Sequence, residues 1–248
     1  MKLGLGLPSI NKGKSFESNY SMSFDGTDDY VDLNNPFNYT TFSIAMWLKV
    51  TNVAGTRAFF DARDGGSDGV VLFCGSNDKV QFYVNGGNIV QTTAITGAWQ
   101  FIGVTFDGST AKLYSNAVTV QTASTSQTIA TTTNARLGAR SFTSPTLPHN
   151  GLIDEFATWN VVLDGNDMSE IYEAVDTDSK VLDLTKNTGG YDKSSSLLDY
   201  YRFEEGAGTT VQNLGSRGVA ATPNGAVFST DKPSKKIIKC LKIENMQY

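Results

Sequence analysis

An all-β sandwich or jelly roll with one short capping helix is the fold this chain predicts, and three observations predict it. The first is composition. Thr (27), Ser (22) and Asn (18) make up over a quarter of the 248 residues, and Gly adds 24. Thr tolerates strands, while Gly, Asn and Ser supply turn geometry. The second is spacing, with strand-like runs recurring at roughly ten-residue intervals between Ser21 and Asn160, separated by turn residues. The third is that the apolar period becomes helical in one segment only. At 40% hydrophobic and 18% charged residues, the chain reads as one globular domain with trimmings, long enough to bury its own core.

Eleven runs carry the strand signal: SMSFDG, YVDL, FSIAMWLKV, RAFFDAR, GVVLFCG, KVQFYVNG, NIVQTTA, WQFIGVTFDG, TAKLYSNAVTVQT, ARLGAR and GLIDEFATWN. In FSIAMWLKV, Phe42, Ile44, Met46, Leu48 and Val50 share one face and Trp47 takes the other. Asn85-Gly86-Gly87 predicts a tight hairpin. In LDGNDMSEIYEAV, Met168, Ile171, Tyr172 and Val175 fall at i, i+3, i+4 and i+7. Asp164 or Asn166 is placed to cap that helix, with Asp167 and Glu170 at its positive end.

These signals divide the chain into an N-terminal arm (1–14), a domain (15–231) and a basic tail (232–248). Within the domain, residues 176–196 read as an irregular excursion, and 197–231 as strands that complete the sandwich.

Several functions are disfavoured at once. A single histidine, His149, excludes a multi-histidine metal site. Cys74 and Cys240 lie far apart, form no zinc motif, and read as free thiols or a disulfide. Residues 15–231 hold 24 acids against 12 bases, whereas the two ends hold 8 bases and one acid. An acidic body argues against nucleic acid as partner, and the basic tail reads as a solvated terminus or a contact to an acidic neighbour. The start MKLGLGLPSINKGK is no secretory signal, because Pro8 breaks its short apolar run. No run of 18 apolar residues predicts membrane insertion.

SFDGTDDYVDL, FSIAMWLKV, GAWQFIGVTFDG, AKLYSNAV, ARLGAR and GLIDEFATWNVVLDGNDMSEIY occur in the order typical of laminin-G-like, concanavalin A-like jelly rolls. The chain resembles that family over about 150 residues. The later LLDYYRFEEGAGTTVQNLGSRG resembles the strand that normally opens such a domain. Its displacement past the helix looks like a circular permutation, as in laminin-G-like virion proteins of tailed, particularly marine, bacteriophages. The resemblance implies a non-enzymatic virion structural protein, or otherwise an extracellular one, that contacts other virion proteins, self-associates and attaches to host-surface glycan. A stand-alone carbohydrate-binding or adhesion module is the alternative, and a glycan-cleaving enzyme a more distant one.

Two candidate sites follow. Asp25-Gly26-Thr27-Asp28-Asp29 sets three carboxylates in five residues, and hard cations take such oxygens together with backbone carbonyls. The resemblance implies Ca²⁺ there, with Gly26, Asp28, Asp29 and Asp154 as ligands, Asp154 being brought in by the strand beside Asp25. The same residues equally suit a plain turn, in which Asp caps its own backbone. The loop SFTSPTLPHN offers Phe142, His149 and Asn150 for carbohydrate binding, or is simply a rigid loop. Asp154-Glu155 does not read as a hydrolytic pair, since neighbouring strand residues point to opposite faces. Trp47, Trp99 and Trp159 sit within strand patterns and read as packing residues.

Overall fold

The computed structural model describes residues 15–234, apart from 53–54, 66–67, 94–96, 127–128, 130–131, 133, 142–145 and 177. Residues 1–14 and the rest of the basic tail, Cys240 included, lie outside the described residues.

The strands in chain order are β1 (Ser15–Glu17), β2 (Ser21–Asp25), β3 (Tyr30–Asp32), β4 (Phe42–Val50), β5 (Arg57–Ala62), β6 (Val70–Cys74), β7 (Lys79–Val84), β8 (Gly87–Thr93), β9 (Trp99–Phe106), β10 (Thr110–Ser115), β11 (Val118–Ser124), β12 (Arg136–Leu137) and β13 (Asn150–Trp159). The helix α1 (Gly165–Glu173) follows, then β14 (Lys180–Leu182), β15 (Leu197–Tyr201), β16 (Thr222–Asn224) and β17 (Val227–Ser229). Two sheets pack face to face. One runs β11-β10-β9-β4-β13-β2-β17 with β15 also on β13, and the other runs β16-β3-β12-β5-β6-β7-β8.

Alternation builds the core between them. Phe42, Ile44, Met46, Leu48 and Val50 of β4 meet Phe60, Leu72 and Phe82 from the opposite sheet. Trp47 points the other way, as expected of a strand buried on both faces. The hairpin at Asn85-Gly86 has positive φ at both residues, the geometry whose twist matches the flanking strands.

Three local expectations change. TAKLYSNAVTVQT is two strands rather than one, because Asn116 and Ala117 both adopt positive φ and turn the chain back. Residues 176–196 are not wholly irregular, since β14 pairs antiparallel with β1. The helix lies on the outer face of the larger sheet rather than at an end of the sandwich. There Met168 and Ile171 pack with Trp47, Phe101 and Tyr114 in a second apolar layer. Its start is fixed by a capping box in which Asp164 and Asp167 exchange backbone and side-chain hydrogen bonds. Tyr172 stacks on Trp47 at 5.6 Å. Trp159 donates its indole N–H to the Tyr191 hydroxyl in the same layer.

The C-terminal segment enters both sheets. β15 pairs with β13, β17 with β2, and β16 with β3. Tyr200, Tyr201 and Phe203 are fully buried. On the larger sheet β2 covers residues 150–153 of one β13 edge, and β15 covers 156–159 of the same edge. Ending the chain at residue 196 would remove these aromatics, bare the apolar surfaces they pack against, and leave half of that edge unpaired, which invites aggregation. The expected outcome for a 1–196 fragment is an insoluble or non-cooperatively melting product. A soluble fragment with a sharp thermal transition would show that the segment is an appendage.

Candidate functional site

The acidic turn forms because β2 ends at Asp25 and the chain reverses at Gly26, whose φ is +83°. A Cβ at Gly26 would lie 2.7 Å from the Asn150 side chain, so this position admits only glycine. The turn is tied locally. Thr27 N–H donates to Asp25 Oδ1 at 2.7 Å, and Asp25 N–H donates to Asp29 Oδ2 at 2.8 Å. Asn150 Nδ2 donates to the Asp25 carbonyl at 3.0 Å. Carboxylate oxygens of Asp25, Asp28 and Asp29 lie within 4.8 Å of one another. Asp25 and Asp28 are exposed and Asp29 is buried. Burial pushes the Asp29 carboxyl above its ordinary value, and the like charges of Asp25 and Asp28 push it further.

The fold thus gathers Gly26, Asp28 and Asp29 with Asn150 at one rim of the sandwich. It adds Asp25, which the ligand set read from sequence omits although it stands in the same motif. All the donors are hard oxygens, which suit Ca²⁺, and water or ligand would complete the six to eight that the ion takes. The turn-tying role of Asp25 and Asp29 is present in the same geometry.

Asp154 does not belong to this group. β13 does lie beside β2, but the register sets Asn150 opposite Asp25 and Ile153 opposite Met22. Four residues at about 3.3 Å each carry Asp154 roughly 13 Å along the strand from the turn. It is fully buried, accepting from Ser18 Oγ at 3.1 Å and from the Glu155 N–H at 2.8 Å.

Strand alternation also fails at this point. Between Asp154, opposite Trp47, and Ala157, opposite Ala45, β13 carries one residue more than β4. This bulge takes Glu155 to a φ of +50° and re-aims its side chain. Asp154 and Glu155 therefore both face outward, while Ile153 and Phe156 face the core. Glu155 accepts from Arg202 Nε at 3.1 Å and from the Tyr200 hydroxyl. Burial raises Asp154 well above the usual carboxylate range and raises Glu155 to about 7; the Arg202 guanidinium opposes the rise at Glu155. Nothing in the sequence pattern announces Arg202 and Tyr200 as partners, because they arrive on β15 and its extension about 45 residues later.

His149 is a second correction. It is read from sequence as a sugar contact, but the ring is fully buried, with ring centroids 5.5 Å from Phe24 and 5.1 Å from Phe59. Among the described residues neither of its nitrogens makes a well-formed hydrogen bond. Desolvation drops its pKa to about 3, with Arg57 lowering it further and the Leu152 backbone opposing, so the imidazole is neutral. Phe142 lies outside the described residues. At the edge of the same loop, Ser141 Oγ bridges Asp61 and the Arg63 backbone, closing a buried Arg63–Asp61 ion pair. Cys74 is a free buried thiol, raised to about 11 by desolvation.

Residues 25–169 match the sequence profile of the concanavalin A-like lectin/glucanases superfamily. The chain belongs to that superfamily. A search of curated protein sequences returns no match. Among solved structures, a Bacteroides ovatus protein assigned to carbohydrate binding superposes with a TM-score of 0.67 at 15% identity, covering 89% of this chain and 62% of that one. This superfamily member therefore spans under two thirds of that protein's length. The binding domain of botulinum neurotoxin DC, solved in complex with SialylT, superposes with a TM-score of 0.51 at 14% identity, covering 66% of this chain and 47% of that one. At these identities the likeness establishes the lectin-like fold.

Neutral burial of His149 has a pH signature. Its folded value lies below the ordinary 6.5. Below pH 6.5 only the unfolded chain takes up the proton, so this residue costs about 1.4 kcal/mol of stability per pH unit as pH falls. His149→Phe keeps a ring between Phe24 and Phe59 and removes that cost. Its advantage over the parent chain in urea unfolding is expected to be about 2 kcal/mol larger at pH 5 than at pH 7.5. An advantage independent of pH would show that the imidazole is not held neutral.

Proposed function

We propose that this lectin-like module binds carbohydrate at the rim formed by Gly26, Asp28, Asp29 and Asn150, with Ca²⁺ held by Asp25, Asp28 and Asp29. One observation carries the reading, namely three carboxylates within 4.8 Å of one another with the Asn150 carboxamide fastened to the same turn. The ion would offset their repulsion, and when bound it supplies coordination positions for sugar hydroxyls. Asn150 holds the Asp25 carbonyl in place, and Gly26 lets the two strands approach closely enough for it to do so. The carbohydrate-binding assignment of the Bacteroides ovatus protein supports the ligand class.

A non-hydrolytic role fits the remaining acids. Asp154 and Glu155 are buried and engaged with Ser18, Tyr200 and Arg202, which leaves no room for a glycosidic bond between them.

The test is a glycan array run with Ca²⁺ and with EDTA, joined to calorimetric Ca²⁺ titration. The parent chain is expected to bind a subset of glycans only with Ca²⁺. Asp28→Asn together with Asp29→Asn should lower both affinities at least tenfold, on the order of 1.4 kcal/mol or more. Binding that survives EDTA would remove the ion from the reading, and silence across the array in Ca²⁺ would overturn it.

A second proposal concerns the setting. We infer a component of a virus particle that contacts other virion proteins and further copies of itself and presents the rim to host glycan. It is favoured by the order of segments, since β15–β17 follow the helix and still complete both sheets. That is the order in which the sequence resembles bacteriophage virion modules. Mass spectrometry of purified particles should find the chain at structural copy number, and its absence would sink this setting.

A further inference from the structure

We propose that Ser15–Tyr20 is a pH-gated clasp, closed over the Asp154–Glu155 carboxyl pair while that pair keeps a proton and opening as the proton leaves. The clasp is where residues 1–14 join the sandwich, and the inference is independent of the glycan reading.

The geometry begins at the gap between β2 and β15 on the β13 edge. The bulge that spans this gap places two consecutive carboxyls on one face, and Ser15–Tyr20 crosses above them. The side-chain ties of the segment run to this seam. Ser18 Oγ donates to Asp154 at 3.1 Å. Asn19 N–H donates to both Glu204 oxygens at 2.9 and 3.0 Å, and Asn19 Nδ2 donates at 3.1 Å. Tyr20 N–H reaches Glu204 at 3.4 Å. Arg202 Nη2 donates to the Glu17 carbonyl at 2.8 Å, and its guanidinium lies 4.2 Å from the centre of the Phe16 ring. Outside the seam, the segment is held by the β1–β14 ladder and by Ser18 N–H donating to the Ser179 carbonyl.

The charges around the pair do not balance. β13 contributes Asp154 and Glu155; β15 and its extension contribute Tyr200, Arg202 and Glu204; the clasp brings Glu17 and Tyr20; β14 brings Lys180 opposite Glu17. On β4 the partner of Asp154 is the uncharged Trp47. Three carboxyls thus share one guanidinium at the seam. A second buried charge beside the first is expensive in low dielectric, and lifting the clasp is the cheapest way to hydrate it. A regular strand would have separated the two side chains across the sheet; the left-handed Glu155 holds them together.

The sign follows from burial. The folded carboxyl values are raised, so the closed clasp is fully favoured below about pH 4.5 and loses ground as pH climbs through the raised value of Glu155, about 7, with Asp154, itself raised well above the usual carboxylate range, adding to the loss.

Hydrogen–deuterium exchange of the full chain, corrected for intrinsic rates, reads the clasp directly in the peptide covering residues 15–20. Protection there is expected to fall by roughly 30- to 100-fold from pH 5 to pH 8. The central strands β4 and β9 should keep theirs. Asp154→Asn should hold the clasp closed at both pH values, and Glu155→Gln gives a second route to the same loss of slope. Asn19→Ala, which removes a side-chain tie to Glu204 and none to the pair, should loosen the clasp equally at both pH values and leave the slope intact. Protection independent of pH in the parent chain, a fall shared by β4 and β9, or a full slope in both carboxamide variants would overturn the proposal.

Discussion

Everything in this module leans on one long strand. β13 has ten residues and is paired along both edges, with β4 on one side and with β2 and then β15 on the other. Its inward residues Ile153 and Phe156 belong to the core between the sheets, while Ala157 and Trp159 belong to the outer layer. A strand buried on both faces and bonded on both edges has little freedom to shift register, because a slip of one residue would exchange the two layers. It therefore fixes where every neighbouring acid and aromatic comes to rest.

The split edge explains the chain's order. Neither β2 nor β15 alone is long enough to satisfy β13, so one contributes from before the strand and the other from after it. Apolar burial supplies the attraction, through Tyr201 and Phe203 in the core and Tyr200 in the outer layer. Backbone pairing supplies the alignment. The junction between the two partners is left to the bulge, and there the protein tolerates a left-handed glutamate and two buried carboxyls. Such a concentration of strain and charge persists only where the surrounding packing over-determines it.

The outer layer gives the sandwich an uncommon second core. In many antiparallel sheets one face is wetted. Here α1, β14 and Tyr191 cover Trp47, Phe101 and Trp159, so the larger sheet is apolar on both sides. Gly103 is part of this arrangement. A Cβ there would stand 2.6 Å from the Met168 sulfur, and its absence lets the helix lie flat against β9. The polar rim at Asp25–Asp29 lies well away from this layer, which separates the proposed binding surface from the parts that hold the fold.

Local physical chemistry was legible in the residues themselves. Period-two alternation located FSIAMWLKV and its two faces, paired positive-φ candidates located the Asn85-Gly86 turn, and Asp164 with Asp167 located the start of the helix. The acidic turn was legible too, since closeness in sequence forces closeness in space. Tertiary structure decided what depends on register and on distant partners. It moved Asp154 out of the turn by four strand positions, set His149 between Phe24 and Phe59, and split TAKLYSNAVTVQT at an Asn-Ala pair with no strong turn signature. It also brought Arg202 and Tyr200 to Glu155, a meeting no spacing rule could announce. The reason is the bulge: one extra residue in β13 breaks the alternation from which side-chain direction is read, and only pairing with β4 shows that it is there.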